Sequence, residues 1–229
     1  MDQAGLDSRP HRRRRDHRCW HPDRALACPG ASRSPIGRAQ AQRHHESARH
    51  RPGRRSVLRR AARSFVLPSE AEDARRVISE LQSAAHRVAK AYIFGKGMGI
   101  AAPQIGIERA AAIVRPPGSD DVITLLNPRI IESSDDCDEQ YEGCLSFFDV
   151  RCLVPRPLAI HVEHHDITGD QRITIFTRGI ARLVAHEIDH VHGVLCRDHL
   201  REGVQPVPVE QYRGTGTSWH YPATIISPS

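Results

Sequence analysis

His186-Glu187-Ile188-Asp189-His190 sets two imidazoles four residues apart, with a carboxylate next to the first. On a helix this spacing puts both rings on one face about one turn apart, so they can reach a single metal ion. Glu187 beside them can take a proton from a water held there. Histidine is frequent in this chain, 15 of 229 residues, so the pair alone does not decide for metal chemistry over ordinary surface or core packing. A catalytic metal needs a third protein ligand and an open position. Cys144, in Tyr141-Glu142-Gly143-Cys144-Leu145-Ser146, offers a thiolate suited to zinc or iron. Cys196 is the alternative, because His186, His190 and Cys196 follow a metzincin-protease spacing with Cys in place of the third His. That class also needs a downstream Met-turn, and no Met follows Met98, so Cys144 is the better candidate and Cys196 a small core residue.

A third cluster is Gly97-Met98-Gly99-Ile100-Ala101-Ala102-Pro103-Gln104. Glycine and alanine at this density let a backbone pass close to a ligand or to another strand, and tight packing alone would use the same residues. Gln104 supplies a neutral donor for an oxygen. The cluster lacks the spacing of a dinucleotide or P-loop fingerprint.

These groups need elements to hold them. Ser69 to Phe94 reads as a helix with Ser69 as N-cap, Glu70 and Glu72 in the first turn, and an apolar face of Val77, Ile78, Leu81, Ala85, Val88 and Tyr92. Strand-length apolar runs follow at 110–114, 122–126, 158–162 and 172–176, the last two joined by a turn at 166–170. The HExxH segment falls on a second helix, from about Thr177 to His192, with Ile180, Leu183, Val184, Ile188 and Val191 as its buried stripe and Gly193 suited to end it. The pattern of helix, short strands and helix predicts one α+β domain with a core of its own.

Composition bounds the rest. Hydrophobic residues make up 39% and charged residues 26%, which suits a globular unit with one moderate core. No run approaches the ~18 apolar residues of a membrane span, and the first thirty residues lack the apolar centre of a secretory signal. The expectation is a cytoplasmic protein whose Cys137, Cys152 and Cys196 stay reduced. The net charge of +6 conceals an asymmetry: residues 1–63 carry a balance of +12 and the remainder −6. Residues 1–56, with Arg12-Arg13-Arg14-Arg15, are expected to be a disordered Arg-rich extension, the catalytic unit to span 57–203, and 204–229 to be a flexible tail. An arginine arm can bind nucleic acid through phosphates. It can serve as a transit sequence, against which Asp2, Asp7, Asp16 and Asp23 count. It can also be inert or the product of a misassigned start, Met occurring only at positions 1 and 98.

Taken together and in order, Gly97-Met98-Gly99-Ile100-Ala101-Ala102-Pro103-Gln104, Glu142-Gly143-Cys144-Leu145-Ser146 and His186-Glu187-Ile188-Asp189-His190 resemble the peptide deformylases, over roughly Val57 to Leu200. The resemblance implies a deformylase-like α+β fold, with short mixed or antiparallel strands around a central HExxH helix. It implies Cys144, His186 and His190 as metal ligands for one Fe²⁺ per chain, replaceable by Zn²⁺ or Ni²⁺. Glu187 would be general base and acid, and Gln104 with the Leu145 N–H would stabilise an oxyanion. Met98, Gly99 and Leu183 would line a methionine pocket, with Arg151 near the bound peptide. The implied reaction removes the N-formyl group from the initiator methionine of nascent chains and releases formate. It involves a transient ribosome encounter, no membrane and no organic cofactor. Ala185, Val191, Cys152, Phe147-Phe148 and Thr177-Arg178-Gly179-Ile180 depart from the usual family pattern, yet none removes a ligand or the base. The two competing readings are a zincin-like peptidase using Cys196 and an inactive deformylase-like module that binds ribosome or nucleic acid through the arm.

Overall fold

A computed structural model describes residues 56–92, 94–213, 219 and 221. Nearly all of the Arg-rich extension therefore lies outside the described residues. Helix α1, Ala71–Ala91, buries Ala74, Val77, Leu81, Ala84 and Ala85, with Ile78 and Val88 packed partly buried beside them, whereas Tyr92, expected on the same face, is exposed. Its start corrects the sequence reading. The Ser69 hydroxyl turns back to the Val66 carbonyl at 2.7 Å, and Glu70 takes the cap position. The Glu70 carboxylate accepts from the Val66 amide at 2.7 Å and pairs with buried Arg109 at 2.6 Å. A charge-assisted pair at a helix amino end outcompetes a lone hydroxyl. The helix ends at Ala91 rather than Phe94, because Tyr92 adopts an extended backbone.

The strands, in chain order, are β1 Met98–Ala101, β2 Ala111–Arg115, β3 Ile123–Ser133, β4 Cys137–Cys144, β5 Phe147–Pro157, β6 Ala159–His165, β7 Gln171–Thr177 and β8 Val207–Pro208, with helix α2, Arg178–Val191, between β7 and β8. Antiparallel pairing gives one sheet in the order β1-β2-β3-β6-β7 and a second in the order β4-β5-β8. The four predicted runs became β2, β3, β6 and β7, and β3 extends well past its predicted end through two register shifts. Asp166 organises the β6–β7 turn by accepting from the Thr168 and Asp170 amides at 3.0 Å each, with Gly169 at φ 95°.

Alternate residues of β2 and β3 feed two cores. Ile113 and Leu126 join Val77 and Leu81 of α1, whereas Val114 and Leu125 join Val184 and Ile188 of α2. The first sheet therefore lies between the two helices, and α2 is buried along almost its whole length. Gly193 ends α2 at φ 76°, where a Cβ would fall 2.8 Å from the Arg59 and Arg60 backbone.

The segment after Glu202 also departs from expectation. It is not wholly a loose tail, since Val207 and Pro208 pair with Arg151 and Val150, and Trp219 donates from Nε1 to the Tyr141 carbonyl at 3.1 Å. Among the described residues no helix is long and apolar enough to cross a membrane. Leu125 is fully buried between the first sheet and α2. Leu125→Ala is expected to cost about 2–5 kcal/mol in urea unfolding, whereas Ile175→Thr on the exposed face of β7 should stay within about 0.5 kcal/mol.

Candidate active site

Helix α2 carries His186 and His190 on its buried side, with ring centroids 5.0 Å apart and nearly perpendicular. Strand β4 ends in Cys144, whose Sγ lies 3.1 Å from His190 Nε2. One ligand atom from each of Cys144, His186 and His190 lies within 4.8 Å of the others, and all three residues are buried. Cys196 does not join them. It starts a short 3₁₀ turn after α2, with its Sγ 3.2 Å from that of Cys152. Metal ions bind such a set through a thiolate and neutral imidazoles, so what orients each ring matters.

His186 Nδ1 is hydrogen-bonded to Glu142 Oε2 at 3.0 Å, which leaves Nε2 for the common point. Burial works against a charged His186 ring, but the Glu142 hydrogen bond and charge raise its pKa to about 9. Burial dominates at His190 and lowers it to about 3, the neutral form a ligand needs. Glu142 is itself held by Arg156, at 3.0 Å to each oxygen, and by Arg182 at 2.8 Å. Arg156 reaches on to Asp189 at 2.7 Å, and His199 meets the same carboxylate at 2.8 Å. Asp189, without a clear role in the sequence, thus braces the outer end of the arrangement. Burial opposes its charge, yet Arg156 and His199 hold it at about 2.

Glu187 is 2% exposed and faces Gly99 of β1. A Cβ at Gly99 would fall inside the Glu187 carboxylate, so only glycine leaves this side chain its place. Its Oε2 has no hydrogen-bond partner, and burial raises the carboxyl to about 7. Gln104 sits in a 3₁₀ turn, Ala102–Ile105, that follows β1 directly. Its Oε1 accepts from the Ala101 amide at 2.8 Å, which turns Nε2 toward Ser146 Oγ at 3.4 Å and Cys144 Sγ at 3.9 Å. The amide therefore points at the ligand cluster.

A cavity of about 620 Å³ opens over this floor. Met98, Gly99, Cys144, Leu145, Arg151, Leu183, His186 and Glu187 all line it. His190 lies behind it, and Gln104 lines an adjoining cleft with Leu145 and Ser146. The sequence pattern gave no site role to Lys96, Arg182, Tyr212 and Trp219, which also line the cavity, or to Glu142, and it marked Phe148, likewise in the lining, only as a departure from the family pattern. Arg182 had a signal: an arginine between Ala181 and Leu183 interrupts an apolar helix stripe and must find a buried partner. Trp219 had none.

A family model described as polypeptide deformylase matches residues 53–205. Peptide deformylase 1B, chloroplastic/mitochondrial, of Arabidopsis thaliana is 37% identical over 111 residues, covering 47% of this chain and 41% of that protein. The peptide deformylase of Roseiflexus castenholzii is 38% identical over 121 residues, covering 46% of this chain and 65% of that protein. The chain thus spans less than two thirds of either relative, and 70% of the Borreliella burgdorferi peptide deformylase, to which it is 34% identical. Among solved structures, the class I type b peptide deformylase of Acinetobacter baumannii with Met-Ala-Ser bound gives a TM-score of 0.56 at 27% identity, over 63% of this chain and 92% of that one. The two α2 imidazoles, the β4 thiolate and the glycine-rich β1 that the fold draws together all fall within the matched span, and by that match the chain belongs to the polypeptide deformylase family.

Proposed function

We propose that this protein removes the N-formyl group from peptides that begin with N-formylmethionine and releases formate. The reading rests above all on three buried ligand atoms converging beside a buried, unpartnered carboxylate oxygen at the floor of one cavity. The donors fit a divalent transition metal: one thiol and two imidazoles leave a position open, and Glu142 fixes the ring of His186. We assign one Fe²⁺ per chain, with Zn²⁺ or Ni²⁺ able to replace it, since the mixed sulfur and nitrogen set suits all three. When bound, such an ion acts as a Lewis acid and makes water a nucleophile near neutral pH.

Glu187 takes the proton of the attacking water and delivers it to the amine as the formyl C–N bond breaks. Its position against Gly99 leaves one carboxylate oxygen without a protein partner. Gln104 Nε2 and the Leu145 N–H donate to the formyl oxygen as negative charge gathers there. Met98 and Leu183 offer apolar wall for the methionine side chain, Gly99 gives its backbone close approach, and Arg151 stands over the peptide beyond. These steps need no organic cofactor. We place the core of the catalytic unit at residues 57–203, a reading the family match at 53–205 supports, with Tyr212 and Trp219 completing the cavity wall from beyond it. The substrates are nascent chains met transiently at the ribosome, and the setting is the cytoplasm.

Full-length protein loaded anaerobically with Fe²⁺ or Ni²⁺ should release formate from formyl-Met-Ala-Ser, and Glu187→Gln should slow release by at least about a hundredfold. A loaded protein that releases none overturns the assignment. Elemental analysis should find the ion lost from Cys144→Ala and kept by Cys196→Ala, and the reverse pattern would bring back the Cys196 peptidase reading. Glu142→Gln should weaken the metal about ten- to hundredfold in chelator competition, because His186 loses the partner that orients it.

A further inference from the structure

Lys96 and Arg151 stand at the same cavity, Lys96 from the turn before β1 and Arg151 from β5. Among the described residues neither has a carboxylate partner. Arg151 Nη1 holds the carbonyls of Phe148 at 3.1 Å and Val150 at 2.8 Å. Lys96 Nζ donates to the Tyr141 carbonyl at 3.0 Å and to Tyr212 Oη at 3.1 Å, and it lies 5.2 Å from the Trp219 ring centroid. An ammonium has three donors, so one remains. Among the described residues the only acids lining the cavity are Glu142 and Glu187. Arg156, Arg182 and His186 occupy Glu142, and Glu187 lies at the catalytic floor against Gly99. Half-burying a cation near others without a carboxylate is unfavourable. At Lys96 burial, and then the charges of Arg151 and Arg182, outweigh the opposing charge of Glu142 and lower the ammonium to about 8.

We propose that Lys96 and Arg151 form a carboxylate subsite, so that among formylated peptides this protein favours those with an acidic side chain within the two residues after formylmethionine. The inference rests on the deformylase reading and refines its substrate class. A formylated amino end carries no positive charge for the two cations to repel. A carboxylate arriving beside them supplies a direct partner, which Glu142, already held by Arg156, Arg182 and His186, does not give them. It can take the third Lys96 donor while the Tyr141 and Tyr212 hydrogen bonds stay in place. The other role open to Lys96 is purely structural: it would anchor Tyr212 and Trp219 through its hydrogen bond and ring contacts, with no effect on which peptide is chosen.

The same carboxylate chemistry could come from the carboxy terminus of a short peptide, so the test uses carboxy-terminal amides. Formate release by the metal-loaded, full-length protein is measured for formyl-Met-Asp-Ser-amide, its Asn and Lys counterparts, and the set with these residues one place later. Asp should exceed Asn in kcat/KM by about tenfold at one of the two places, the size of one charge-assisted hydrogen bond, and Lys should fall below Asn. The margin should shrink in 0.5 M salt. Lys96→Met should bring the Asp to Asn ratio close to one, and Lys96→Arg should restore it. Equal rates for Asp and Asn in the parent protein, or a preference that survives both Lys96→Met and Arg151→Met, would overturn the subsite. Formate from none of the peptides would instead remove the deformylase reading. Binding tests the subsite independently of turnover. In a Trp20→Phe background Trp219 is the only tryptophan, and its emission should report tighter binding of unformylated Met-Asp-Ser-amide than of Met-Asn-Ser-amide. Equal binding of the two, even in a protein that turns nothing over, counts against it.

Discussion

Glu142 is a carboxylate with almost no exposure in the middle of the molecule, and the site can exist only if its charge is satisfied. Arg156 closes on both of its oxygens from β5, Arg182 reaches one from α2, and His186 meets the other. Burial alone would push its pKa up, yet Arg156 and His186 hold Glu142 well below the ordinary carboxylate range. Removing one partner from such a cluster leaves a buried charge uncompensated, typically at about 3–5 kcal/mol. The cluster therefore fixes where α2 lies against the second sheet. That placement brings His186 and His190 to Cys144, because Cys144 follows Glu142 by two residues on β4. Arg182 also donates to the Val154 carbonyl at 2.8 Å and meets the Asp138 carboxylate, tying the helix to both strands of the hairpin. Charge pairing does here what apolar packing does on the other sheet.

That difference explains which parts of the fold were legible in the sequence. α1, α2, β2, β3 and β6 carry stripes or runs of buried apolar side chains, so period and turn chemistry reveal them. β7 is revealed by its β-branched run and the turn before it, although Ile173 and Ile175 are exposed and Phe176 alone is buried. β4, Cys137–Cys144, has the sequence Cys-Asp-Glu-Gln-Tyr-Glu-Gly-Cys and shows no apolar alternation, because the residues it buries are Glu142 and Cys144. β5 carries Pro155 and Pro157, which argue against a strand. They are tolerated because β8 pairs only at Val150 and Arg151 and leaves that edge free. β1 reads as tight packing from its glycines and is a strand whose missing side chain makes room for Glu187. The ligand residues were legible because they sit in short ordered motifs. Their supports come from separate segments, and single residues such as Arg156 and Lys96 carry no local pattern.

The departures from the family pattern sort by position. Ala185 is buried in the α2 core, and Cys152 packs with Cys196 behind the ligands. Val191 is buried against β1 and β2, Phe147 packs beside Cys152 and Cys196, and Ile180 borders the α2 core. Phe148 lines the cavity, and Gly179 lies beneath Trp219. Phe148 stacks against Tyr92 with centroids 4.5 Å apart, and Arg151 lies over the Gly143 backbone, where a Cβ would meet its guanidinium at 3.1 Å. Gly179 opens α2 beneath Trp219, and a Cβ there would press on that ring at 3.3 Å. The glycine in this unusual helix approach and the tryptophan of the carboxy-terminal segment thus fit as a pair.

Trp219 in turn rests over Lys96 and Arg182, and Tyr212 stacks on Tyr141 at 5.0 Å. One chain of contacts runs from the helix start through the carboxy-terminal aromatics to the cations at the mouth. The floor obeys different constraints. Glu142 holds the His186 ring, the missing side chain at Gly99 leaves Glu187 its place, and Cys144 contacts His190 and the Ser146 amide, whereas His190 Nδ1 has no hydrogen-bond partner among the described residues. The rim residues touch one another, so they can change as a group while the floor stays still. On the proposed reading this separation would let a chain with unusual residues around its opening keep Cys144, His186, His190 and Glu187 in place, and would put what is particular to it at the mouth of the cavity rather than at its floor.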